Sequence, residues 1–181
     1  MSESGSLARR LVSVEHDHWQ VPEGTILAPI RRRASAFIID VIIVTGVLSI
    51  VSRWRIFDAW NFTLWASKDF HYSLAMVIAL LGSHYLYWTW TGRHFSRSLG
   101  QRWLGLAVVA TDGGELAKRD WDIRAFRKLL YLLPVLDIWF LLRDTLRIRQ
   151  RHTHQSNIDL AAGSIVAIEN SLPAHTRAFL R

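Results

Sequence analysis

Residues 34–52 read ASAFIIDVIIVTGVLSIVS, and Asp40 is the only ionisable residue among them. At helical rise this run is about 28 Å long, enough to cross the hydrocarbon core of a bilayer. A carboxylate at that depth is costly against lipid, so it must face protein or water and find a partner. Arg33 precedes it by seven residues, two helical turns, so the spacing predicts both on one helix face and an Arg33–Asp40 pair. Such a pair has two uses. Asp40 can exchange a proton or a monovalent cation against Arg33, or the pair can fix helix packing as a buried salt bridge.

Other ionisable residues carry weaker versions of the same chemistry. His84 sits within a second apolar run, residues 72–90, where a histidine is expected to face other helices and to titrate or to hydrogen-bond. Asp137 follows Pro134 by three residues, where carbonyls freed by the proline can help hold a cation; pairing with Arg143 is the structural alternative. Asp159 lies before a strand-like stretch and is expected to cap a turn or meet an arginine such as Arg102 or Arg127. The His-x-His pairs His16/His18 and His152/His154 have metal-ligand spacing on a strand but no third ligand, so surface histidines are expected and no metal.

The remaining motifs point away from catalysis. There is no phosphate-cradling glycine loop, serine nucleophile elbow or pair of catalytic carboxylates, so neither an enzymatic activity nor a cofactor is expected. The chain has no cysteine, which removes disulfides and thiolate chemistry. Its net charge of +7 could signal nucleic acid, but the basic residues gather at the edges of apolar runs, which favours a membrane surface over nucleic acid.

The elements that must position these residues can be read from charge and hydropathy. Residues 1–30 form an N-terminal arm, and Arg31, Arg32 and Arg33 at the mouth of the first span hold that end in the cytoplasm. The spans 34–52 and 72–90 flank a short external loop rich in tryptophan and phenylalanine, in which Ile56, Trp60 and Leu64 are spaced for an interfacial helix. The basic segment 91–128 is cytoplasmic. It holds a β-branched run at 104–110 that ends in a Thr-Asp-Gly-Gly turn, then an amphipathic helix over 121–128. Residues 129–142 are apolar but short, interrupted by Pro134 and flanked by arginines on both sides, which suits a re-entrant or interfacial hairpin better than a third span. Residues 162–168 are the natural strand partner of 104–110, and residues 169–181 form a tail. The expected architecture is an all-α membrane protein with two transmembrane helices, a third short apolar segment and a small cytoplasmic β-pair.

Five segments in order carry a family resemblance: RRASAFIID at 32–40, SLGQRWLGL at 98–106, VVATDGG at 108–114, RAFRKLL at 124–130 and IDLAAGSIV at 158–166. Together they resemble the RDD family of small, mostly bacterial, integral membrane proteins, over roughly residues 30–168. The resemblance places the family's arginine at Arg33 and its first aspartate at Asp40. It places the second at Asp159, with Asp137 as the competing position. The chain departs from the pattern at Ser164, where threonine is usual and the hydroxyl is kept. Most members of that family have no assigned function, and a few are reported to act as sodium/proton antiporters. The implied protein lies in the inner membrane of a bacterium, crosses it more than once with both termini in the cytoplasm, and assembles with copies of itself or a larger membrane partner. The alternative is a non-transporting accessory or scaffold whose basic cytoplasmic face docks partners or anionic lipid.

Overall fold

The computed structural model describes residues 24–134, 136–150, 155–178 and 180, apart from the side chains at 136, 137, 141, 147, 149 and 150. Helix α1 spans Ile30–Val51, with Pro29 as its N-cap, where a residue lacking an N–H costs the helix nothing. Its mean hydropathy reaches 2.4, and among the described residues it is the one helix long and apolar enough to cross a membrane. Ile38, Ile42, Val47 and Ile50 face outward and are exposed, whereas Ala36, Asp40 and Val44 recur every four residues on the buried face. Apolar side chains turned outward with a carboxylate turned inward is a pattern that suits lipid better than water.

Arg53 and Trp54 take positive φ and reverse the chain into a 3₁₀ turn, Arg55–Trp60, and helix α2, Phe62–Trp65. Ile56 and Ala59 tuck against Leu80, while Trp54 and Phe62 point outward. Helix α3, Phe70–Phe95, then runs back along α1, bringing Thr45 opposite His84 and Asp40 opposite Tyr87. It is about 39 Å long, but its tyrosines, tryptophans and His84 make it less apolar than α1.

The remainder forms a compact layer at one end of the helix pair. It comprises α4 (Leu99–Trp103), β1 (Leu106–Ala110), α5 (Lys118–Leu129), α6 (Leu136–Gln150), α7 (Asn157–Ala161), β2 (Ser164–Ile168) and α8 (Ala174–Arg177). Strands β1 and β2 pair antiparallel from Leu106↔Ile168 to Ala110↔Ser164, as their sequences predict. Leu27 bridges Ala167 and extends this sheet into the segment before α1, and Leu172 packs beneath it from the chain's last part. Leu106 and Val108 pack on Ala36 and Trp121, while Ala107, Val109, Ile165 and Ala167 cover the other face. With both faces buried, each strand reads as a continuous apolar run. The glycine turn at 111–114 leads into α5, whereas β2 comes fifty residues later.

The third apolar segment breaks at Pro134 as expected, but the helix beyond the proline is longer than an apolar hairpin. A 3₁₀ turn at Leu130–Leu132 precedes the proline, and α6 continues to Gln150, eight residues beyond the apolar stretch. Ile138, Trp139, Leu142 and Leu146 make its outward stripe, and Asp144 and Ile148 turn inward. Helical hydrogen bonding propagates through Arg143–Arg149 because Asp144 and Ile148 pack inward and the arginines and Leu146 favour helix, which offsets the weaker Asp144 and Thr145.

Candidate functional site

Two buried aspartates organise the junction between the helix pair and the strand-bearing layer. Asp40 is fully enclosed. Its Oδ1 accepts hydrogen bonds from the Tyr87 hydroxyl at 2.8 Å and the Gly100 backbone N–H at 2.8 Å, and its Oδ2 accepts from the Trp88 indole at 3.3 Å. The Gly100 N–H is one of the donors left free at the start of a helix, so Asp40 caps α4 from outside, adding to the Ser98–Gln101 capping box. Gly100 has to be glycine here. A Cβ would lie 2.2 Å from the Ala36 carbonyl oxygen and 2.9 Å from Asp40 Oδ1. This explains the SLGQRW segment: serine caps, glycine permits contact, glutamine closes the box.

The expected Arg33–Asp40 pair does not form. Seven residues along a helix separate their Cα atoms by roughly 10 Å, and side chains on a helix lean toward its N-terminus. Arg33 therefore reaches away from Asp40 into the strand-bearing layer. There its Nη1 donates to Asp159 Oδ2 at 2.8 Å, its Nε to the Ala28 carbonyl and its Nη2 to the Val166 carbonyl. The arginine links the start of α1 to Asp159 without touching Asp40.

Asp159 is bracketed. Arg124 Nη1 meets its Oδ1 at 2.6 Å and also bonds the Ser164 hydroxyl, so the hydroxyl retained at that position is in use. Oδ2 further accepts from the Ser156 N–H and hydroxyl, completing a capping box on α7. Burial by itself would raise the proton affinity of this carboxyl, but Arg124 and Arg33 outweigh it and hold its pKa below the usual aspartate value. The turn-capping role read from sequence is present. Its arginines are Arg33 and Arg124, however, because Arg127 turns to the Asn157 carbonyl and Arg102 is exposed.

Between the two aspartates lies a cavity of about 130 Å³, lined by Arg33, Asp40, Arg124, Lys128, Asp144 and Asp159 among mostly apolar neighbours. Lys128 stands one turn beyond Arg124 on α5. Its ammonium lies 5.1 Å from the centre of the Trp88 ring, and it forms no ion pair among the described residues. Desolvation lowers its pKa to about 8, opposed in part by the nearby charge of Asp40. Asp144, on the far wall, accepts from the Tyr131 hydroxyl and from Asn157.

His84, one turn from Tyr87 and Trp88 on α3, is fully buried, with Nδ1 2.8 Å from the Leu80 carbonyl and its ring tilted against Trp88. It faces the helix pair as predicted but does not reach the cavity. The side chain of Asp137 and both His-x-His pairs lie outside the described residues. Tyr87, Gly100, Arg124 and Lys128 escape a reading of single residues. The signal that finds two of them is the Trp121, Arg124, Ala125, Lys128 face of α5, a helical stripe mixing core and basic residues.

A family model described as the RDD family matches residues 27–163, a region containing Arg33, Asp40, Arg124 and Asp159. No curated protein and no solved structure matches the chain.

Proposed function

The chain belongs to the RDD family, and from that premise we propose that it is a multi-pass protein of the bacterial inner membrane serving as a proton-linked monovalent-cation transport element. In this reading α1 and α3 both cross the bilayer, and the arginine-flanked ends, both termini and the strand-bearing layer face the cytoplasm. The observation that carries it is Asp40: a lipid-depth carboxylate held by neutral donors, beside a cavity containing a lysine with no ion-pair partner among the described residues. The negative charge of Asp40 can be balanced by Lys128 in its protonated form. Once Lys128 releases its proton, a monovalent cation entering the cavity can take over that balance, one cation in for one proton out. The pKa of Lys128, near 8, puts this exchange within reach of cytoplasmic pH. Two crossings enclose no continuous passage, so assembly of several copies belongs to the same reading. No enzymatic step and no cofactor enter it.

Reconstitution of the full chain into liposomes with an internal pH dye tests this. A sodium or potassium gradient is expected to drive proton movement that Asp40→Asn and Lys128→Met abolish while both variants still assemble. Wild-type liposomes that remain silent under every monovalent gradient would sink it. A non-transporting scaffold is then the better reading, supported by the exposed basic residues Arg102, Lys118 and Arg119 on the cytoplasmic layer.

A further inference from the structure

A second cavity, of about 120 Å³, opens beside the first, between the end of α5, helix α6 and helix α7. Its composition is different. Arg127 and Arg143 stand over it, Leu130, Phe140 and Ile158 supply apolar walls, and no carboxylate lines it among the described residues. Among the described residues Arg127 donates from Nη1 to the Asn157 carbonyl at 3.3 Å, and neither arginine is in an ion pair. Two guanidiniums facing one pocket without a counter-charge repel each other, and the pocket gains most from an anion that accepts several hydrogen bonds. The planar guanidinium matches phosphate oxygens better than any other group available to a protein.

Location decides what carries that phosphate. The pocket adjoins the outward stripe of α6, where Trp139, Leu142 and Leu146 are each more than half exposed. Arg143 rises from within that stripe. Apolar side chains with arginines between them suit the boundary of acyl chains and headgroups, the chains lying on the stripe while the guanidiniums hold the headgroup. We propose that this pocket binds the phosphodiester of an anionic phospholipid of the cytoplasmic leaflet, with Arg127 and Arg143 as its ligands and α6 lying along the membrane surface. A lipid with net negative charge suits two such cations. A zwitterionic one brings its own ammonium against them. The site is independent of Asp40 and of any transport.

The test uses the full chain, stripped of lipid in neutral detergent and titrated with phosphatidylglycerol, phosphatidylcholine, glycerol phosphate or inorganic phosphate. Bound lipid is counted by native mass spectrometry and cross-checked by thermal stabilisation. Phosphatidylglycerol is expected to bind and stabilise, and phosphatidylcholine to bind at least about tenfold more weakly. The Arg127→Gln/Arg143→Gln double variant should lose about tenfold or more in affinity for the anionic lipid, the scale of one or two charge-assisted hydrogen bonds. Arg127→Lys/Arg143→Lys should recover part of it, and Arg119→Gln, on the exposed start of α5, should bind as wild type. Equal binding of the two lipids, or an unaltered double variant, overturns the proposal. So does glycerol phosphate or inorganic phosphate binding as tightly as the lipid, which would make this a soluble-phosphate site. If the double variant fails to fold, the two-lipid comparison on wild type and on the lysine variant still decides the matter.

Discussion

Asp40 and Asp159 are equally buried, 0% and 1% exposed, and are answered in opposite ways. Two guanidiniums grip Asp159, whereas a phenol, an indole and one helix-start N–H hold Asp40. The difference lies in what each site can offer an arginine. A guanidinium carries five donors, and a buried one needs acceptors for nearly all of them. In the strand-bearing layer, backbone outside the helices supplies such acceptors, and Arg33 takes the carbonyls of Ala28, before α1, and Val166, on β2. At the depth of Asp40 the neighbouring carbonyls are committed to helical hydrogen bonds. A carboxylate needs only donors, so two side chains and one free N–H suffice there.

Removing each acid separates the two cases. Asp159→Ala strands Arg33 and Arg124 with no counter-charge, a loss on the scale of roughly 3–5 kcal/mol. It should show as a collapse in detergent thermal stability or in the yield of folded protein. Asp40→Ala leaves neutral donors unpaired and should cost less, about 1–3 kcal/mol. Equal losses would break the comparison, because Lys128 would then depend on the charge of Asp40 as strongly as the two arginines depend on Asp159.

Gly100→Ala sharpens it from the backbone side. The added methyl overlaps the Ala36 carbonyl oxygen, so α4 must move away from α1 and lose the Asp40 bond. A destabilisation of about 1–3 kcal/mol is expected, non-additive with Asp40→Ala because both break one contact. Thermal unfolding of the double variant measures this, and additive losses would contradict a shared contact.

The remaining test is in pH. Lys128 binds its proton less tightly in the folded chain, about 8, than at its ordinary value of 10.5. Below pH 8 both folded and unfolded chains hold the proton, and the burial penalty is fully present. Between about 8 and 10.5 the unfolded chain holds more protons, so stability should rise with pH across that window. Asp159 has the opposite origin. Its depressed pKa supplies stability that is present above the ordinary aspartate value and lost as pH falls below it. Lys128→Met should flatten the alkaline rise without altering the acid loss, and a persistent rise in that variant would assign it to another group.

Much of the frame was legible in the residues. The apolar run around Asp40 predicts α1, β-branched runs predict the β1–β2 pair, and Pro134 predicts the break before α6. These features are local: helical hydrogen bonds close within four residues, and the side chains that favour them stand in the same stretch. The identity of Asp40 and Asp159 as residues needing partners was equally local, since burying a carboxylate imposes that need wherever it occurs.

The choice of partners was not local. Arg33 meets Asp159 across 126 residues, and Asp40 meets Gly100 across 60. Helical periodicity puts Arg33 and Asp40 on one face, but the lean of side chains toward the N-terminus, and the carbonyls available only in the folded layer, send the arginine elsewhere. The chain by itself determined that Asp40 needed partners and that Asp159 would cap a turn or meet an arginine. Only the packing of α4 on α1, of α5 on α3 and of α7 on α5 decided which donors reach each of them, because donors and acceptors from distant parts of the chain come together when those elements meet.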